Sequence, residues 1–306
     1  PFFRCYPYSN YMRLNFDPCT FPVVLDGCDE LAPVISSLLR GWTVRSLPDG
    51  DAGDNAIILR KTEEGYQRTS PWLDVPITYR HPVNVACDFL VDLIKALNVS
   101  QPDLMCLHTA AADFGAGLVF FPDSYNSGKS TLAAHLAAQG IRVFADDVLP
   151  VRGNSALGIA PGILPRLRLP LPAASHSDFL NFIDTHRGPE SDRFLYLDLE
   201  EHLLPPYGIS APIIGIVELE RVAETVEPEL RDGDRGQLMK KTILRNFARV
   251  LPSADILDQI FFIIEGAACY TLRYSAGDTA ARLLINTFAG TGAGRSPNSN
   301  IMMEPQ

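Results

Sequence analysis

The chain has 306 residues, 46% hydrophobic and 20% charged, with a formal net charge of −10. This is an ordinary globular composition with room for one large or two modest domains. The acidic balance argues against a general nucleic-acid binder, and no apolar run approaches the length needed to span a bilayer.

The N-terminal stretch PFFRCYPYSNYMR has no signal-peptide shape. Residues 1–98 read as a separate, smaller α+β unit. Within it, 21–25 and 56–60 are strand-like, 31–39 and 83–97 are helix-like, and 47–55 is a Pro/Gly/Asp-rich loop. Arg60, Lys61 and Arg68 read as a solvated face. Residues 99–290 form a second, α/β unit. There, 103–109 and 117–121 are expected to pair around the turn-forming DFGAG. The run 118–121 reads as a buried strand, 129–139 as a helix closed by Gly140, and 141–145 as another strand. The proline-rich GIAPGILPRLRLPLPAA follows. Then come strands at 212–220 and 270–274, and helices at 237–250 and 279–288. The tail, 291–306, has the composition of a disordered segment. The six cysteines, Cys5, Cys19, Cys28, Cys87, Cys106 and Cys269, form no C-x-x-C. They read as free thiols of a reducing cytoplasm, with no metal role.

Chemistry concentrates in GLVFFPDSYNSGKSTLAAHLAAQGIRVFADD, residues 117–147. Strand, tight loop, Gly-Lys-Ser and helix are the parts of a phosphate-binding loop. Its backbone N–H groups and helix N-terminus face a polyphosphate. Ser124, Asn126, Ser127, Gly128, Lys129, Ser130 and Thr131 are the expected nucleotide contacts. Lys129 supplies charge to the β- and γ-phosphates, and Ser130 Oγ is a ligand for Mg²⁺. Asp123 stands where such a loop usually begins with Gly, and a carboxylate there is awkward unless it turns away or pairs with a cation. The ordinary alternative is a chance G-K-S after a polar turn; the flanking strands and the following acid pair argue against it.

Asp146 and Asp147 lie at a strand's C-terminal end, where α/β sites gather. Adjacent residues on an extended strand point oppositely, so the two can divide the work. One carboxylate can face the nucleophile and the other Mg²⁺ or its waters; a plain polar strand exit is the alternative. Of the histidines, His108 reads from its surroundings as a core or edge residue and His135 as helix packing. Arg166 and Arg168, and the later group Arg235, Lys240, Lys241 and Arg245, read as solvated faces that could also hold a phosphate or an acidic peptide.

In spacing as well as type, these residues resemble the HPr kinase/phosphorylase family. In that family a His lies five residues before an Asp and 15 before the first loop position, as His108, Asp113 and Asp123 do here. Lys129, Gly140 and Ala145-Asp146-Asp147 also fit. The resemblance is specific over residues 104–151 and weak elsewhere. It implies a phosphoenolpyruvate-carboxykinase-like α/β P-loop kinase domain, ATP with Mg²⁺, and phosphorylation of a serine-like hydroxyl. It implies Asp146 as proton acceptor, with Asp147 and His108 positioning it or the metal; Ser130 and Asp147 are the metal candidates. The glycine-rich signature of bifunctional members is absent, and RFLYLDLEEHLLPPYGISAPI stands in that region. The chain is therefore more similar to the kinase-only branch found with peptide-modification systems. The acceptor would be a peptide, protein or small molecule, recognised by residues 1–98. The setting is cytoplasmic, with no nucleic-acid or membrane partner and room for a homo-oligomer. The competing expectation is a nucleotide-binding regulatory module of weak catalysis. An ABC-type or motor ATPase fits poorly, because the acid pair follows the loop too closely.

Overall fold

A computed structural model describes residues 11–48, 55–122, 127–152, 155–171, 176–247 and 251–289. The described residues form a mixed α/β protein with three sheets and seven helices. The first part comprises β1 (Tyr11–Asp17), β2 (Val23–Asp26), α1 (Leu31–Ser37), β3 (Thr43–Ser46), β4 (Ile57–Thr62), β5 (Gly65–Thr69), β6 (Ile77–Tyr79) and α2 (Pro82–Ser100). Its strands make one six-stranded sheet, ordered β3-β1-β2-β4-β5-β6. His81 caps α2 by accepting a hydrogen bond from the Val83 N–H at 3.2 Å, and Pro82 follows at the first helical position. Arg68 is buried in an ion pair with Asp92 of α2, and its Nη1 also donates to the Asp88 carbonyl at 2.8 Å. This corrects the expectation of a solvated face for Arg68: β5 turns its side chain inward, under α2. Arg60 and Lys61 do lie exposed, paired with Asp26 and Glu30.

The second part begins with β7 (Leu104–Leu107), β8 (Ala110–Asp113), β9 (Leu118–Phe121), α3 (Lys129–Ala138), β10 (Arg142–Ala145), β11 (Leu149–Arg152) and β12 (Leu157–Ile159). It continues with β13 (Arg166–Arg168), α4 (Ser177–Thr185), β14 (Arg187–Glu190), β15 (Phe194–Leu197), β16 (Ser210–Arg221) and β17 (Glu229–Asp232). It closes with α5 (Arg235–Leu244), α6 (Ser253–Gly266), β18 (Ala268–Tyr274) and α7 (Gly277–Phe288). Residues 248–250 and the tail 291–306 lie outside the described residues. No described helix is long and apolar enough to cross a membrane.

The strand expected over 103–109, paired with 117–121, is shorter and has another partner. The chain breaks after Leu107; β7 pairs with β11, and β8, not β7, forms the hairpin with β9. The buried Thr109 makes the break: its hydroxyl donates to the Ala110 carbonyl at 3.0 Å and accepts from the Phe121 N–H at 3.1 Å. These are the local side-chain bonds by which Thr competes with a regular ladder.

β16 is the spine of the large sheet, parallel to both β9 and β18 and antiparallel to β12. Side chains alternate across β9. Leu118 and Phe120 join Ile260, Ile263 and Ile264 of α6 in one cluster, while Val119 and Phe121 join Leu132 and Leu136 of α3 and Leu284 of α7. The sheet is thus covered on both faces, which is why its strands read as continuous apolar runs. A third cluster joins Val23 and Leu25 of β2 to Leu93 and Leu97 of α2, and these to Val143 and Leu195. α2 therefore packs on both parts of the molecule.

Candidate active site

Because β10 and β9 are each antiparallel to β8, they run parallel to one another. The loop after β9 and the acid pair after β10 therefore leave the sheet at the same edge. β8 starts at that edge, with Ala110 opposite Phe121 and Ala111 opposite Ala145, which brings in His108 just before it. The sheet thus gathers Lys129, Asp146, Asp147 and His108. Asp113 lies at the other end of β8, where its Oδ1 accepts the Gly115 N–H at 2.9 Å and shapes the hairpin turn.

Ser124 and Asn126, and with them Asp123, lie outside the described residues. From Ser127 onward the loop runs into α3. Gly128 takes φ of +90° as the residue before the helix, a left-handed conformation that glycine adopts at little cost. A Cβ there would also come within 2.8 Å of Tyr274 Oη. Tyr274 donates to the Ser127 carbonyl at 3.3 Å, so β18 props the loop from below. Lys129 is buried, and Thr131 lines a small cavity of about 120 Å³ with Arg221, Tyr274 and His176. His135 is buried on the same helix and stacks on Phe179 with ring centres 3.7 Å apart, which is packing.

Asp146 is almost fully buried, at 6% exposure. Its Oδ2 accepts the backbone N–H of Arg166 at 2.9 Å, while its Oδ1 has no hydrogen-bond partner. Burial pushes its carboxyl from 3.8 up to about 6; Asp147 adds to this, and the Arg166 N–H and the Ser130 hydroxyl oppose it. Asp147 is half-buried and holds the Arg166 guanidinium at 2.7 Å. Arg166 thus binds one carboxylate with its backbone and the other with its side chain. It also contacts Cys87 of α2 and lies 4.5 Å over the Phe194 ring.

The His108 N–H donates to the Arg245 carbonyl at 2.7 Å, and its ring meets Phe247 edge-on at 5.8 Å. Burial lowers its pKa from 6.5, Asp147 acts oppositely, and Lys129, Arg245 and Arg166 lower it further. His108 is therefore neutral at pH 7, able to donate from one nitrogen and accept at the other.

A cavity of about 390 Å³ opens beside the pair, lined by His108, Asp146, Asp147, Arg166 and the exposed side of α2. No group of three or more His, Cys, Asp or Glu that could hold a metal occurs among the described residues. Mg²⁺ does not require one, since it keeps waters and binds through one or two carboxylates and substrate phosphates. The buried Ser127 Oγ has no hydrogen-bond partner and is the kind of orphaned oxygen such an ion uses. The residues present therefore fit Mg²⁺. The five described cysteines are all free. No protein-family model matches the chain, and no curated protein matches it.

The sequence reading treated Arg166 chiefly as a surface residue. Its one sequence signal is an alternating R-L-R between prolines, a short strand whose arginines share a face; what that face meets depends on the fold. Tyr274 carried no signal at all, because it reaches the loop only through the parallel pairing of β16 and β18.

Proposed function

We propose that the chain is an ATP-dependent kinase that transfers the γ-phosphate to a serine-like hydroxyl. The observation that carries this is the common edge of β9 and β10. It joins a Gly-Lys-Ser helix start to two carboxylates, one of them buried with its pKa near 6. A general base works best when its pKa lies near the working pH.

In this reading the N-terminus of α3 and Lys129 bind and orient the triphosphate. Ser130 and a carboxylate of the pair would hold Mg²⁺, which supplies charge neutralisation on the phosphate oxygens. The acceptor oxygen forms a bond to the γ-phosphorus, the bond from that phosphorus to the β–γ bridging oxygen breaks, and ADP leaves. Asp146 takes the acceptor's proton at its free Oδ1. Arg166 orients both carboxylates, and neutral His108 lines the same cavity beside Asp147. The reading includes a phosphoenolpyruvate-carboxykinase-like fold, kinship with the HPr kinase/phosphorylase family and a cytoplasmic setting, where free thiols persist.

The test is calorimetric ATP titration with Mg²⁺, and labelled-ATP transfer to candidate acceptors, for the wild type and Lys129→Ala. Wild-type binding and transfer, both lost in the variant, are expected. Wild-type affinity in Lys129→Ala would refute the phosphate-loop assignment. Tight ATP binding with no transfer to any acceptor would favour the regulatory-module alternative.

A further inference from the structure

Among the described residues, none of the phosphate loop (127–131) lines the cavity beside Asp146 and Asp147. Its far wall is α2, through Leu90, Val91 and Ile94, and its near wall includes Ile163, Leu164 and Phe194. Polar groups line it as well: the acid pair, His108 and Arg166, and also Asp88 and Lys95 of α2 and Arg193. At about 390 Å³ it falls among small-ligand pockets, which run from about 300 to 1,000 Å³. Such pockets are apolar with a few polar groups that fix orientation. Asp146, which lines this cavity, is almost fully buried. An acceptor hydroxyl must therefore enter the cavity to reach it, and its neighbouring atoms must lie against the apolar walls. A serine on the surface of a folded protein cannot do so without carrying its surrounding fold into a space of only about 390 Å³.

We propose that this cavity is the acceptor site, and that it takes a slender hydroxyl compound with an apolar body, held between α2 and the acid pair. The role of the acid pair rests on the phosphoryl-transfer reading; the binding of an apolar hydroxyl compound does not. α2 is then a specificity element, with Val91 on its exposed side as the wall residue most open to change, at 47% exposure. The transfer balances as stated above: the compound's O–H oxygen gains the phosphoryl group, ADP leaves, and the proton goes to Asp146.

Two probes test this by calorimetry on the full chain without nucleotide: N-acetyl-serine methylamide and N-octanoyl-serine methylamide. Each methylene that becomes buried is expected to tighten binding by about four-fold. Even with partial burial, the octanoyl compound should bind at least about ten-fold tighter than the acetyl one. Val91→Trp, which fills the cavity, and Val91→Asp, which charges its wall, should each weaken octanoyl binding by about ten-fold. Both replace an exposed side chain, and a thermal melt without ligand checks that they fold. Equal affinity for the two probes overturns the proposal, as does wild-type octanoyl binding in both variants. ATP-dependent phosphorylation of a folded protein but not of the octanoyl compound also overturns it. ATP affinity of the wild type is measured separately. Its absence would remove the kinase reading, while chain-length-dependent probe binding still decides the identity of the cavity.

Discussion

Asp146→Asn should make the protein more stable while removing its activity. Asp146 is buried, and its carboxyl is raised from 3.8 to about 6. The sign follows from linkage. Below pH 4 the group is neutral both folded and unfolded, and costs nothing. Above pH 6 it is ionised in both states, and the folded state carries the full penalty. Stability from this group is therefore lost as the pH climbs between those two values. A displacement of about two pH units corresponds to about 3 kcal/mol. The amide keeps an oxygen for the Arg166 N–H but adds an NH₂ to a spot without a partner, which reduces the gain to about 1–2 kcal/mol. At about 2.1 cal/mol/K per residue, 306 residues give an unfolding entropy of roughly 640 cal/mol/K, hence about 1.5 °C per kcal/mol. The variant should melt about 2–3 °C above wild type at pH 8, with the gap closing toward pH 4, while phosphoryl transfer falls about 100-fold or more. Differential scanning calorimetry across that pH range is the assay. A lower melting temperature at pH 8, or a gap independent of pH, would refute the claim that burial holds this carboxyl up.

Three further perturbations separate the elements of the site. Gly128→Ala imposes a Cβ on a φ of +90° and within 2.8 Å of Tyr274 Oη. It should cost about 1–3 kcal/mol in denaturant unfolding and weaken ATP binding, and adding Tyr274→Phe should recover only the steric part. Arg166→Met removes a positive charge that helps keep Asp146 ionised, so the acid limb of the kcat/KM profile should move to higher pH; a limb that stays put would mean the guanidinium does not act on Asp146. Arg68→Met strands the buried Asp92 carboxylate, with only Lys95 left at 3.5 Å, and should destabilise the fold by about 3 kcal/mol. A chemical-denaturation change under 1 kcal/mol would show that this network is worth no more than a surface pair.

The apolar runs were legible because both faces of the large sheet are covered. Segments 118–121 and 270–274, and the helices after Gly128 and before Ala289, sit close to where the sequence puts them. The site's core was legible for a related reason: a strand, a Gly-Lys-Ser helix start and a second strand with its acids are contiguous in the chain. What stayed hidden depends on distant pairing. The end of β7 at Leu107 does not show in the sequence, because nothing in the composition of 103–109 announces that Thr109 will bond back to Phe121. β1, β3, β5 and β6 are short or mixed in polarity, and they become strands by pairing with their neighbours in the six-stranded sheet. Arg68 and Arg166 both look like surface charge. Each is buried against carboxylates contributed by another element, Asp92 in one case and the acid pair in the other.

Arg166 also explains why the acid pair can be unequal. Two adjacent carboxylates in one environment would share their proton affinity, and neither would be a committed base. Here the polar backbone N–H goes to Asp146, a neutral dipole that satisfies one oxygen without cancelling the effect of burial. The guanidinium charge goes to Asp147, which is also the more exposed of the two. One residue thus supplies the weaker partner to the buried acid and the stronger partner to the exposed one, pushing their environments apart, the arrangement from which acid and base roles arise. The same side chain contacts Cys87 on α2 and stacks on Phe194, so the helix that walls the cavity also holds the residue that divides the pair. In the proposed reading, an acceptor pressing on α2 would bear on the geometry of Asp146 through Arg166, so that occupancy of the cavity and the placement of that carboxylate are coupled.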